Sequence, residues 1–166
     1  YIKIAMKIKI NDQIPDIEIY QLINGDPEKK KLSEILGKYK VILFGLPGAF
    51  TSTCSKLHLP GFVKNAGKIK EKGIKNIFCL SVNDPYVMNA WGEANNTGGK
   101  IQMLSDPYLV FTSKIGAEVD RNSKGMGIRS NRYVMIIENL KVLNIQVEKE
   151  TKQCGMTSAA NILDII

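Results

Sequence analysis

Cys54 stands in the stretch Leu46-Pro-Gly-Ala-Phe-Thr-Ser-Thr-Cys-Ser-Lys-Leu-His-Leu-Pro-Gly-Phe62. Three hydroxyl residues, Thr51, Ser52 and Thr53, run directly into it, and the turn formers Pro47, Gly48, Pro60 and Gly61 surround it. Most free cysteines are small buried hydrophobes and need no such company. A thiolate acting as nucleophile does need it: donors that favour the ionised sulfur, a shaped loop and a polar group to hold the electrophile. His58, the only histidine, lies four residues on and so on the same helical face, where a packing or interface role is the simpler reading.

The neighbouring elements determine what this thiol can do. Val41-Ile-Leu-Phe-Gly45 is a short apolar run, the pattern of a strand buried on both faces, and Pro47-Gly48 ends it. From Thr53 to Lys72, the residues Leu57, Phe62, Val63, Ala66 and Ile69 fit a helix with a bend expected at Pro60. Ile74 to Val82 reads as a second buried strand. Asp84-Pro85 reads as the capped start of a helix through Trp91, where the indole serves as core or pocket wall. Ile101 to Leu104 reads as a strand, and Asp106-Pro107 repeats the helix-start signal. Tyr133 to Ile137 and Val142 to Val147 form a hairpin across Glu138-Asn-Leu-Lys141, and a capped helix from Thr157-Ser158 closes the chain. A βαβ half followed by a ββα half is the thioredoxin order: an α/β fold with a central mixed sheet flanked by helices, expected as a single domain over residues 1–166.

In that order Cys54 falls where the first core strand gives way to a helix. Unpaired backbone N–H groups and the positive end of the helix dipole both favour thiolate there. A cysteine of pKa about 8.5 is about 3% ionised at pH 7, and one of pKa about 6 about 90%. This gain of roughly thirtyfold is modest, so fast chemistry also needs help for the leaving group.

Composition removes several other functions. Three cysteines without close spacing do not make a disulfide-stapled secreted domain, and they suit a reducing interior. With one histidine and no paired short Cys spacings, a zinc site is not expected. The net charge of +7 invites a nucleic-acid reading, but the lysines are spread along the chain with carboxylates between them, as on solvated faces. No apolar run approaches the roughly 18 residues that span a bilayer, so no membrane partner is expected. The amino end, beginning at Tyr1, is dotted with Lys and lacks the apolar stretch of a secretory leader. An intracellular location is expected, either the cytosol or, after loss of a targeting segment, a plastid or mitochondrion.

Pro47-Gly-Ala-Phe-Thr51-Ser-Thr-Cys54 resembles the P-x-x-x-T-x-x-C signature of peroxiredoxins, and its extension to Phe62 is similar to the type II (fifth-class, atypical) subfamily. Cys79-Leu-Ser-Val-Asn-Asp-Pro-Tyr-Val-Met88 and Lys124-Gly-Met-Gly-Ile-Arg-Ser-Asn-Arg132-Tyr-Val-Met135 agree with the same subfamily. The resemblance spans essentially the whole chain. It implies a thiol peroxidase for hydrogen peroxide and alkyl hydroperoxides, with Cys54 as the peroxidatic cysteine and Pro47, Thr51 and Arg132 completing the site. No metal or bound cofactor is implied. Arg129 is a rival for the arginine role, but Arg132 immediately precedes an aromatic that starts a strand, as the family pattern has it. Arg121 reads as surface charge.

Oxidised Cys54 must be reduced by another thiol. Cys79 matches the second cysteine of plant-like members, yet Ile77-Phe-Cys-Leu80 is a buried-strand pattern in which a packed core thiol is an equal reading. Cys154 stands two residues before Met156, which occupies the place of the animal-type resolving cysteine. An external thiol, glutathione with glutaredoxin or else thioredoxin, is therefore the expected reductant, and a homodimer is expected by resemblance alone. Two other functions compete. A thioredoxin- or glutaredoxin-type oxidoreductase has Cys-x-x-Cys as its usual signature, but Thr51 stands at the first Cys. A basic binding module would keep its function without Cys54.

Overall fold

The structure, a computed structural model, describes residues 6–166; Tyr1 to Ala5, part of the amino end read above for a leader, lie outside the described residues. An antiparallel hairpin comes first, β1 (Glu18–Ile23) and β2 (Asp26–Lys31). Then follow α1 (Leu32–Leu36), β3 (Lys40–Leu46), a π-helical turn (Cys54–His58) and α2 (Leu59–Glu71). Next come β4 (Asn76–Ser81), α3 (Pro85–Ala94), β5 (Gln102–Ser105) and α4 (Val110–Lys114). A small ribbon of β6 (Glu118–Asp120) and β7 (Ile128–Ser130) precedes the hairpin β8 (Tyr133–Glu138) and β9 (Lys141–Val147), and α5 (Ala159–Ile165) closes the chain.

Seven strands form one sheet in the order β2-β1-β5-β4-β3-β8-β9. β3, β4 and β5 are parallel, and β8 joins β3 antiparallel, so the sheet is mixed as the thioredoxin order requires. The continuous apolar runs have a simple cause, because helices cover both faces of the central strands. Ile42, Phe44, Ile77, Cys79, Val134 and Ile136 face α2, α3 and α5. Val41, Leu43, Phe78, Leu80, Met135 and Ile137 face the opposite core with Leu32, Leu36 and Phe111. Burying a Leu, Ile or Phe is worth about 1.5–3 kcal/mol. The buried stripe Leu59, Phe62, Ala66 and Ile69 therefore presses the cysteine-bearing helix firmly onto the sheet.

Two local expectations change, and one element was not anticipated. The irregularity attributed to Pro60 lies ahead of it: the Leu59 amide bonds Cys54 O five residues back, which widens the turn just before the residue that lacks an N–H. Asp106-Pro107 does not open a helix there. α4 starts three residues after Pro107, preceded by Leu109 at φ 61, yet the Asp106 carboxylate still caps it by accepting from the amides of Phe111 and Thr112. The hairpin β1–β2 was not expected: its second strand Asp-Pro-Glu-Lys-Lys-Lys is polar, although Asn24-Gly25 turns it with positive φ and Ile19 of β1 is buried. Elsewhere the local signals hold: Asp84 accepts from Val87 N, Ser158 caps α5 through Asn161 N, and Asn139-Leu140 turn the β8–β9 hairpin with positive φ.

His58 is fully buried, its ring centroid 4.9 Å from that of Phe44 and 5.6 Å from that of Phe62, with Nε2 3.1 Å from Thr157 O. It thus fastens the π turn to the segment before α5. Burial first, then the nearby Arg132 charge, pushes its pKa down to about 3. In the unfolded chain the ring protonates near 6.5, so unfolding between those values takes up a proton. The stability His58 leaves intact above pH 6.5 is withdrawn as pH falls toward 3, by about 1.4 kcal/mol per pH unit. Urea midpoints at pH 7.5 and pH 5 should therefore differ less in His58→Gln than in the unaltered protein. Equal pH dependence in the two would remove His58 as the source.

Candidate active site

β3 runs out at Leu46, and the next seven residues are held in place by short polar contacts. The Ala49 amide donates to Asn83 Oδ1 at 3.0 Å, and Ser81 Oγ donates to the same oxygen at 2.8 Å. Thr51 Oγ1 donates to Gly48 O at 2.7 Å, which commits its proton and leaves its oxygen free to accept. Thr51 is thus no side-chain cap, although its carbonyl accepts the first helical bond, from Ser55 N at 2.9 Å. Phe50 turns the loop in a left-handed conformation, φ 62, with its ring outside. Gly45 is required one strand turn earlier, since a Cβ there would stand 2.3 Å from the Tyr133 ring on β8.

Cys54 enters a fully buried position at the start of the helix, where the amides ahead of the first helical bond have no carbonyl behind them. Arg132, also buried, donates from Nη2 to Cys54 Sγ at 3.1 Å. The same Nη2 and Nε donate to Thr151 O at 2.8 and 3.0 Å, and Nη1 lies 2.9 Å from His58 Nδ1. Arginine can only donate, so Nδ1 must be the unprotonated ring nitrogen and Nε2–H donates to Thr157 O. The depressed His58 pKa agrees with this tautomer. His58 is therefore packed, as expected, but it also orients the arginine. Its i+4 spacing from Cys54 was the available signal; its partner 74 residues away, brought in by β8, was not visible.

Pro47, Thr51, Ser52, Thr53, Arg121, Met126, Arg132, Thr151 and Lys152 line a cavity of about 80 Å³ beside the sulfur's helix. A larger cleft of about 370 Å³, between β1, α3 and β5, contains none of the candidate residues. Cys54, Thr51, Arg132 and Pro47 are thus gathered at one place. Arg129 is not with them: Nε donates to Met126 O and Nη1 to Val82 O, each at 2.8 Å, so it braces β7 against the end of β4. Arg121 departs from its expected surface position. It is half-buried on the cavity wall, its Nη1 donating to Thr151 Oγ1 at 2.9 Å. Trp91 is core, its Nε1 donating to Ser55 Oγ at 2.9 Å.

The other cysteines stand apart in environment. Cys79 is fully buried in mid-sheet, paired in register with Phe44 and Met103. Burial, and then the charge of Cys54, pushes its thiol well above the usual range. Cys154 is half-buried in the segment after β9, 4.0 Å from Thr157 Oγ1, and burial likewise raises its pKa. All three are free thiols. Among the described residues, no three of His, Cys, Asp and Glu stand together in a way that could hold a metal ion.

Such a site can deliver a sulfur nucleophile to a small polar molecule while a guanidinium faces the charge that develops. Comparison with known proteins agrees. Residues 9–163 match the Redoxin family. The chain is 42% identical over 157 residues to Peroxiredoxin-2D of Arabidopsis thaliana, covering 94% of this chain and 96% of that one. The reduced Prx3 of Vibrio vulnificus in complex with H2O2 superposes with a TM-score of 0.90 at 39% identity, over 95% of this chain and 98% of the other. The 1-Cys peroxiredoxin antioxidant protein of Plasmodium falciparum superposes at 0.87 with 30% identity, over 95% and 98%. This chain belongs to the Redoxin family as a peroxiredoxin of the type II kind, a thiol-dependent peroxidase.

Proposed function

We propose that Cys54 is the peroxidatic residue and that Thr51, Arg132 and Pro47 serve it in reducing hydrogen peroxide and alkyl hydroperoxides. The observation that carries this reading is the Arg132 Nη2 contact to Cys54 Sγ at 3.1 Å, beside the Thr51 hydroxyl in one cavity. The Cys54 thiolate attacks one peroxide oxygen. An S–O bond forms, the O–O bond breaks, and the departing alkoxide or hydroxide takes up a proton, leaving Cys54 as sulfenic acid. Thr51 Oγ1, its proton already given to Gly48 O, accepts from the peroxide O–H. Arg132 offers fixed positive donors to the sulfur and to the leaving oxygen, while Pro47 closes the cavity wall against water. The two electrons come from sulfur, so the step calls for no bound cofactor or metal.

Stopped-flow oxidation by hydrogen peroxide tests these roles together. Cys54→Ser should abolish peroxide consumption with the fold retained, and Arg132→Met should slow oxidation by about a hundredfold or more. Arg129→Met, removing only a brace, should cost clearly less. A reversed order of the two arginines, or activity surviving in Cys54→Ser, would overturn the assignment.

For the second half of the cycle we infer an external thiol, glutathione with glutaredoxin or else thioredoxin. Support comes from Cys79 lying in mid-sheet with a raised pKa, and from Cys154 lying two residues from the animal-type position. The 1-Cys designation of the Plasmodium falciparum neighbour points the same way. A Cys79→Ala, Cys154→Ala double variant should therefore turn over with glutathione and glutaredoxin within a few-fold of the unaltered protein. If Cys79→Ala alone stops turnover with every reductant yet leaves the first oxidation fast, Cys79 is an obligatory resolving residue.

The chain acts as one domain over residues 1–166 in this reading, since both cores share one sheet and the family match runs from residue 9 to 163. An intracellular place, cytosol or organelle, suits its three free thiols. No helix of the described residues is long and apolar enough to cross a membrane. Phe50, Tyr86 and Ile128 are exposed on three segments that the Ala49–Asn83 and Arg129–Val82 hydrogen bonds hold together, and this apolar group supports a homodimer. Sedimentation equilibrium should give twice the chain mass, with Phe50→Asp shifting it toward monomer. A monomer at every concentration up to about 100 μM would exclude any dimer tighter than a weak transient contact.

A further inference from the structure

Among the described residues, the wall of the cavity beside Cys54 carries three cations, Arg121, Arg132 and Lys152, and no carboxylate. Two of them have clear employment. Arg132 spends its donors on Cys54, Thr151 and His58. Lys152 is paired with Glu150 at 3.3 Å and is 81% exposed. Arg121 differs from both. It is half-buried and forms no ion pair among the described residues, and its Nε is buried without a partner. Its Nη1 donates to the hydroxyl of Thr151, the same residue whose carbonyl holds Arg132. A buried guanidinium N–H without an acceptor is costly, and an anion entering the cavity would supply one.

We propose that Arg121 is a carboxylate-recognition residue of the Cys54 cavity. This deepens the peroxidase reading and rests on it. The cavity is small, about 80 Å³, so the carboxylate that Arg121 meets lies a few bonds from the reacting atom of the ligand. Two sources share that chemistry. One is a hydroperoxide acid, whose O–O bond breaks as Cys54 takes an oxygen and whose alkoxide leaves protonated. The other is a carboxylate-bearing thiol: its sulfur attacks the Cys54 sulfenic acid, an S–S bond forms, the S–O bond breaks, and the hydroxyl leaves as water. Neutral peroxides and thiols gain nothing from Arg121 in either half.

The experiment measures discrimination within each protein, so a variant's overall loss of rate cancels. For the first half, tert-butyl hydroperoxide is compared with its analogue in which one methyl is replaced by a propionate chain. For the second, mercaptoethanol is compared with mercaptopropionate as reductant of the oxidised protein. The preference for the anionic member should fall about five- to tenfold in Arg121→Gln and be largely kept in Arg121→Lys. A fall confined to the peroxide pair assigns the carboxylate to the substrate; a fall confined to the thiol pair assigns it to the reductant. An unchanged preference in both pairs, or an equal fall in Arg121→Lys and Arg121→Gln, overturns the proposal. Failure of the peroxidase reading itself would look different: the unaltered protein would consume no hydrogen peroxide.

Discussion

The site depends on one buried charge. Arg132 is almost wholly withdrawn from water, yet no carboxylate neutralises it among the described residues. Moving an ammonium-sized ion out of water costs several kcal/mol even after relaxation. What offsets it here is a carbonyl, an imidazole nitrogen and the Cys54 sulfur. Of these only the sulfur can carry full negative charge. The sulfur is therefore the one partner of Arg132 that could balance its charge, and the contact that satisfies the buried guanidinium is the one the proposed chemistry uses.

Several other features follow from that pair. His58 must stay neutral, since a proton on Nδ1 would face a guanidinium at 2.9 Å, and its burial between Phe44 and Phe62 keeps it so. The segment after β9 must stay closed, because Thr151 O takes two of the arginine's bonds. Three contacts hold that segment down. Thr53 Oγ1 donates to Lys152 O, His58 Nε2 donates to Thr157 O, and buried Glu148 accepts from both the amide and the hydroxyl of Thr157. The helix start, the β8 arginine and the closing segment thus behave as one unit. Loss of any member exposes a polar group that the others were satisfying.

That coupling separates what was legible in the sequence from what was not. β3, β4 and β8 were readable because burial on both faces removes polar residues from a strand and leaves an unbroken apolar run. Asp84, Ser158 and the Asn139-Leu140 turn were readable because capping and turn chemistry act over three or four residues. The partnership of Arg132 with Cys54 came only through family resemblance; it spans 78 residues and is set by the β3–β8 register. His58 looked like packing because its polar partners arrive from β8 and from the segment before α5. Arg121 looked like surface charge because nothing beside it in the chain reveals Thr151. Strand β2 was illegible for the opposite reason, since an edge strand is solvated and carries no apolar period, while the Asn24-Gly25 turn before it was a signal left unused.

The same packing shapes how oxidised sulfur can be recovered. Cys54 has no exposed surface, so a second sulfur can reach it only if the helix start or the closing segment opens. For Cys79 the opening would have to break the middle of a sheet, with parallel neighbours on both sides and helices over its face. For Cys154, half-buried after β9 and near enough to feel the charges of Arg132 and Cys54, the closing segment would have to shift. The proposed external thiol needs only the helix start to open. The first helical turn lies outside the apolar stripe that fixes α2, and the π turn already interrupts its regular bonding. Releasing that turn would expose the sulfur, at the cost of lifting Cys54 out of its core and His58 from between Phe44 and Phe62 and parting Arg132 from both. The helix start can therefore move only against its own packing, while the strand pairings of the sheet stay in place.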